Sequence, residues 1–113
     1  MYECENLFEW FKIINQKPVS DYLRNIESER AKRLVEMLFT EYCKKKKAFH
    51  IRRVFLEDSK REFSAFYELI EKFLPDVLIK LKRRGLIKTE TGHDGITVGV
   101  GQPIAYVTYI GGD

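Results

Sequence analysis

The side chains best equipped for chemistry in this sequence crowd into one stretch, "VLIKLKRRGLIKTE", where Lys80, Lys82, Arg83, Arg84 and Lys88 fall within nine residues. Cations at that density bind phosphate, the lysines as point charges and the arginines as planar forks that match two oxygens at once. Wound as a helix, the stretch puts Lys80 and Arg83 outward with Asp76, flanked by Lys82 and Arg84, while Val77, Leu78 and Leu81 turn inward. The plainer reading of the same charges is a solvated face that complements the helix dipole. Cys4, Cys43, His50 and His93 are the residues available to a metal, but no CxxC or HxxxH pair anchors them. The two cysteines therefore read as buried free thiols of an intracellular chain. No serine, cysteine or carboxylate pair stands in a setting that predicts catalysis, so neither an enzyme nor a cofactor is expected.

The basic stretch belongs to a wider asymmetry. Residues 1–43 carry six Lys/Arg against eight Asp/Glu, residues 44–88 fourteen against six, and residues 89–113 none against three. A basic middle between acidic ends describes an electrostatic face and not a uniform coat. The run "KKKK" at 44–47 reads more simply as a basic helix end. With 113 residues, 44% apolar and 33% charged, the chain has the size and composition of one globular domain. No run of about eighteen apolar residues is available to span a membrane. Acids in "MYECENLFEW", where a secretory signal carries lysines, favour a cytoplasmic location.

The elements that must position these residues follow from periodicity. Leu7, Phe8, Trp10, Phe11 and Ile14 mark a helix over 3–15, ended by the approach to Pro18. Ser20 and Asp21 open a second helical region, and Ser28 caps a main helix of about 29–45. "AFHIRRVFLE" alternates apolar and polar residues like a short strand. Ser59 and Glu62 have capping-box spacing, opening a helix on Phe63, Phe66, Tyr67, Ile70 and Leu74. Pro75 then starts a new helix that Gly85 ends. "LIKTET" and "IAYVTYI" are strands around the turn-rich "GHDG" and "GQP", with "ITVGV" a third strand or part of a hairpin arm.

From about residue 28 onward this order resembles a winged helix-turn-helix domain of the MarR and PadR type. The resemblance is carried by "SKREF" opening a helix 26 residues before Gly85, by "LKRRGLIKTE" running from a helix end into a strand, and by "GQPIAYVTY" opening a returning strand. It implies an α+β fold: a winged helix-turn-helix at 28–113 with a C-terminal β-hairpin wing, preceded by extra N-terminal helices at 1–27. It further implies a recognition helix at about 75–84, with Lys80, Lys82, Arg83, Arg84 and Lys88 toward duplex DNA and Asp76 and Ile79 near the base-facing front. Arg52, Arg53, Lys60 and Arg61 would reach flanking phosphates.

Three departures stand out. The wing from residue 89 onward has no cation, and Gln102 replaces the expected arginine. The inter-helix turn "ELIEKFLPD" lacks small polar residues, and Pro75 shortens the recognition helix to about three turns. The expected function is a small DNA-binding protein, a transcriptional regulator. It would be nucleoid-associated and homodimeric through Leu7, Phe8, Trp10, Phe11 and Ile14. The rivals are a protein-interaction winged helix whose cation-free wing meets a partner protein, and a helical adaptor whose β tail is no wing.

Overall fold

The computed structural model describes residues 26–99 and 101–111. The helices expected over residues 3–15 and from Ser20, and the apolar dimerisation residues on them, lie outside that range. Among the described residues, three helices and a three-stranded antiparallel sheet make an α+β fold.

Helix α1 spans Ser28–Lys46 and buries Ala31, Val35, Leu38, Phe39, Tyr42 and Cys43, spaced so that they form one stripe. Glu29 in its first turn and Lys44, Lys45 and Lys46 in its last complement the helix dipole. Strand β1, Ala48–His50, follows Lys47, which turns the chain at φ 71°.

The strand expected over residues 48–57 ends at His50. From Ile51 the chain winds as a π-helical stretch, Ile51–Leu56, and continues as α2, Glu57–Glu62. Ile51 and Phe55 fit two periods at once, strand alternation and a helical turn. Their burial together with Leu56 is the helical pattern, i, i+4 and i+5. Ser59 therefore caps nothing: it sits inside α2, 1% exposed, and the capping box with Glu62 does not form.

The turn between helices is Phe63 followed by a tight 3₁₀ turn, Ser64–Phe66, and not "ELIEKFLPD". Helix α3 then runs unbroken from Tyr67 to Arg83, so the two helices expected around Pro75 are one. Pro75 removes the amide that would bond to the Glu71 carbonyl. Glu71 lies on the exposed side, where water can take up that carbonyl, while Ile70, Phe73, Leu74, Val77, Leu78 and Leu81 hold both sides of the proline to the core. Gly85 ends the helix at φ +71°, as its type and position require.

Strands β2 (Ile87–Ile96) and β3 (Ile104–Tyr109) form a hairpin, and β1 pairs with the other edge of β3, giving the order β1-β3-β2. Ile87 faces Tyr109 and Thr89 faces Val107, but the register shifts between Glu90 and Thr91 and again before Ile96. The segment "GHDG", expected as a turn, is instead an excursion of β2 between those shifts. It closes down on Ile104: a Cβ on Gly95 would lie 2.5 Å from the Ile104 carbonyl oxygen. Among the described residues of "ITVGV", Ile96 alone belongs to a strand.

The core lies between the inner sheet face and the helices. Phe39, Phe49, Phe55 and Tyr42 meet edge-on or tilted with ring centroids 4.8–6.3 Å apart. Aromatic pairs in such arrangements contribute about 0.5–1.5 kcal/mol beyond their burial. Among the described residues, no helix is long and apolar enough to cross a membrane.

Candidate nucleic-acid interface

Helix α3 presents its charges as its period dictates. Val77, Leu78 and Leu81 are buried, and Asp76, Lys80, Lys82, Arg83 and Arg84 are exposed. The tertiary fold then divides those cations among different surroundings.

Lys80 and Arg84 turn toward α1, where Glu36 accepts from Lys80 Nζ at 2.8 Å and from Arg84 at 3.4 Å. One step along the same groove, Lys32 pairs with Asp76 at 3.5 Å. Lys32, Asp76, Ile79, Lys80, Arg83 and Arg84 line an open groove of about 550 Å³ between the helices. Each pair has one exposed partner, the cation in the two Glu36 pairs and Asp76 in the other, so they hold the side chains in place more than they stabilise the fold.

Lys82 and Arg83 border a second groove, about 480 Å³, between α3 and the hairpin. Its far wall supplies Thr89, Thr91 and Gln102, which are uncharged hydrogen-bonding groups. Ile79 and Arg83 line both grooves and so form the ridge between them.

Lys88 stands apart. By strand alternation it lies on the sheet face opposite Ile87 and Thr89, in register with Thr108, which in turn faces Ala48. It does not belong to the α3 patch.

Arg52 and Arg53, expected on phosphates, are engaged by the hairpin. Arg52 donates to the carbonyls of Asp94 and Gly95 at 3.2 and 3.4 Å, and Arg53 donates twice to the Asp94 carboxylate at 3.3 and 3.0 Å. Those bonds from Arg53 hold the Asp94 carboxyl below the usual carboxylate range. Arg61 pairs with Asp58 within α2 at 2.8 Å, and Lys60 is exposed on the same helix.

By sequence His50 is a candidate metal ligand and nothing more. In the fold its Nδ1 accepts from the amides of Arg52 and Arg53 at 3.2 and 3.1 Å, capping the helical stretch. Facing two N–H donors, Nδ1 must carry the lone pair, so the proton is on Nε2, which donates to the His93 carbonyl at 2.9 Å. His50, Arg52 and Arg53 thus fasten the excursion 93–95 to the start of the helical stretch. No spacing rule reveals this, because the partners are more than 40 residues apart. Cys43 is wholly buried, which pushes its thiol up to about 12, and it packs on α1 away from any ligand set. Among the described residues, no three His, Cys, Asp or Glu side chains gather as metal ligands would.

No protein-family model, curated protein or solved structure matches this chain.

Proposed function

We propose that the protein is a small DNA-binding protein of winged-helix design, a transcriptional regulator by class, with α3 as its recognition helix and the β2–β3 hairpin as its wing. The order α1, β1, α2, α3, β2, β3 with the sheet arranged β1-β3-β2 supports that reading, since it sets the hairpin beside the last helix. One observation carries it. Helix α3 buries a continuous apolar stripe while Lys80, Lys82 and Arg83 along its second half, and Arg84 at its C-cap, stay at the surface, two of them facing a groove walled by neutral donors. A phosphate backbone seated there meets charge from the helix and hydrogen bonds from the wing.

A protein-interaction subunit is the second reading, and two features favour it. The first half of α3 exposes Glu68 and Glu71 against Lys72 alone, and the hairpin has no Lys or Arg after Lys88. Such a front is poorly suited to the electronegative grooves of DNA.

Salt separates the two. Binding to a duplex should weaken linearly in log–log with salt, at about 0.9 per phosphate neutralised. The variant Lys80→Glu/Arg83→Glu/Arg84→Glu should lose measurable binding in a gel-shift titration while keeping its circular dichroism spectrum. Parent-like binding by that variant at equal salt would remove the basis of the DNA reading.

A further inference from the structure

The groove between α3 and the hairpin has a side that the recognition-helix reading leaves unused. Besides Lys82 and Arg83 it is lined by apolar groups, Leu78 and Ile79 from the helix and Val98 and Ile104 from across the groove. A phosphodiester backbone is polar along its length and gives such a floor little to bury.

The charges of the groove point the same way. Lys80 and Arg84 are already taken by Glu36 on the α1 side. The side chains of Lys82 and Arg83 have no hydrogen-bond or ion-pair partner among the described residues. No described Asp or Glu lines this groove, and Asp76 lies in the other one, beyond the ridge of Ile79 and Arg83. Thr89, Thr91 and Gln102 complete the lining with neutral polar groups. The volume of about 480 Å³ falls within the roughly 300–1,000 Å³ of small-molecule sites.

We propose that this groove binds a small organic carboxylate with an aliphatic body. The carboxylate lies on the Arg83 fork, which matches two oxygens at once, with Lys82 as a second point charge. The hydrocarbon covers Ile79 and Val98, both partly exposed without it. Carboxylate and phosphodiester share their anionic oxygens, but the aliphatic acid alone carries a body for the floor. Lys82 and Arg83 serve either occupant, so ligand and DNA exclude one another, and linkage makes that exclusion reciprocal. The exclusion rests on the reading of α3 as a DNA-binding helix, whereas the ligand site does not.

The test follows the amide NMR shifts of the isotope-labelled full chain on titration with hexanoate, against acetate, hexanol and hexyl phosphate. Hexanoate should give saturable shifts confined to the groove, around residues 79–83, 89–91 and 102. Acetate lacks the body and hexanol the charge, so each should bind about tenfold more weakly or worse. Arg83→Gln should weaken hexanoate about tenfold through loss of a charged hydrogen bond. Val98→Asn should weaken it by spoiling the floor, and the exposed Arg83 position keeps the test open if that variant fails to fold. Parent-like hexanoate binding by Arg83→Gln, or acetate or hexanol binding as well as hexanoate, overturns the site. Tighter binding of hexyl phosphate than of hexanoate overturns the carboxylate class. In fluorescence anisotropy, hexanoate should raise the Kd for a random duplex in step with its occupancy, and acetate at equal ionic strength should not. Hexanoate binding with an unchanged duplex Kd overturns the exclusion. Hexanoate binding by a parent that binds no duplex sinks the recognition helix and leaves the site standing. Duplex binding without hexanoate binding does the reverse.

Discussion

At the scale of residues, His50 shows how one side chain joins two distant segments. Its lone pair caps two amides and its N–H reaches the His93 carbonyl, so it sets both where the helical stretch begins and where the hairpin lies. His50→Ala should cost about 1–2 kcal/mol in chemical denaturation, the usual cost of losing a side-chain cap. His50→Asn retains an acceptor of good capping type but falls short of His93. It should therefore recover most of that stability while hydrogen exchange at residues 92–95 stays faster than in the parent. Equal losses in the two variants would show that the hairpin contact, and not the cap, carries the effect. Histidine is not among the favoured capping residues, so nothing local competes with the apolar–polar alternation from which the sequence suggests a strand here.

Among the elements, α3 departs furthest from expectation. Proline is a reliable break signal where a helix stands alone, since the lost hydrogen bond and the ring clash outweigh local propensity. Here the stripe Ile70, Phe73, Leu74, Val77, Leu78 and Leu81 is buried on both sides of Pro75, and burial at about 1.5–3 kcal/mol per large side chain outweighs one missing bond. Pro75→Ala restores the amide to Glu71 and should raise stability by ~1–3 kcal/mol, net of the larger unfolded-state entropy of alanine, measured by urea denaturation. Unchanged or lower stability would mean that the proline ring itself contributes packing. The apolar spacing across residue 75 is unbroken in the sequence, and it is the local signal that competes with the proline.

Across the whole molecule, α1 is tied to α2 by the Tyr42 hydroxyl, which donates to the Asp58 carboxylate. Burial raises the Tyr42 hydroxyl well above its ordinary range, and the bond to Asp58 adds to that. Burial pushes Asp58 up, but the bonds from Tyr42 and Arg61 outweigh it and leave its carboxyl lowered. A carboxylate lowered on folding contributes stability above its unfolded pKa of about 3.9, and that contribution is lost as pH falls through the lower folded value. The stability gap between the parent and Asp58→Asn should therefore be constant above pH ~5 and close below pH ~4 in acid titrations. A gap that persists at low pH would assign the effect to shape and not to charge.

Periodicity alone determined much of this protein: α1, the inward stripe of α3, the glycine that ends it, and the two hairpin strands, because burying an apolar face is a local constraint repeated at every turn. Tertiary structure alone decided where Ile51–Leu56 winds, that Pro75 stays within a helix, and which cations face solvent and which face a carboxylate. Those outcomes depend on partners more than 40 residues away, such as Glu36 for Lys80 and Asp94 for Arg53. A charge in a sequence announces its sign, but only the folded chain chooses its counter-charge.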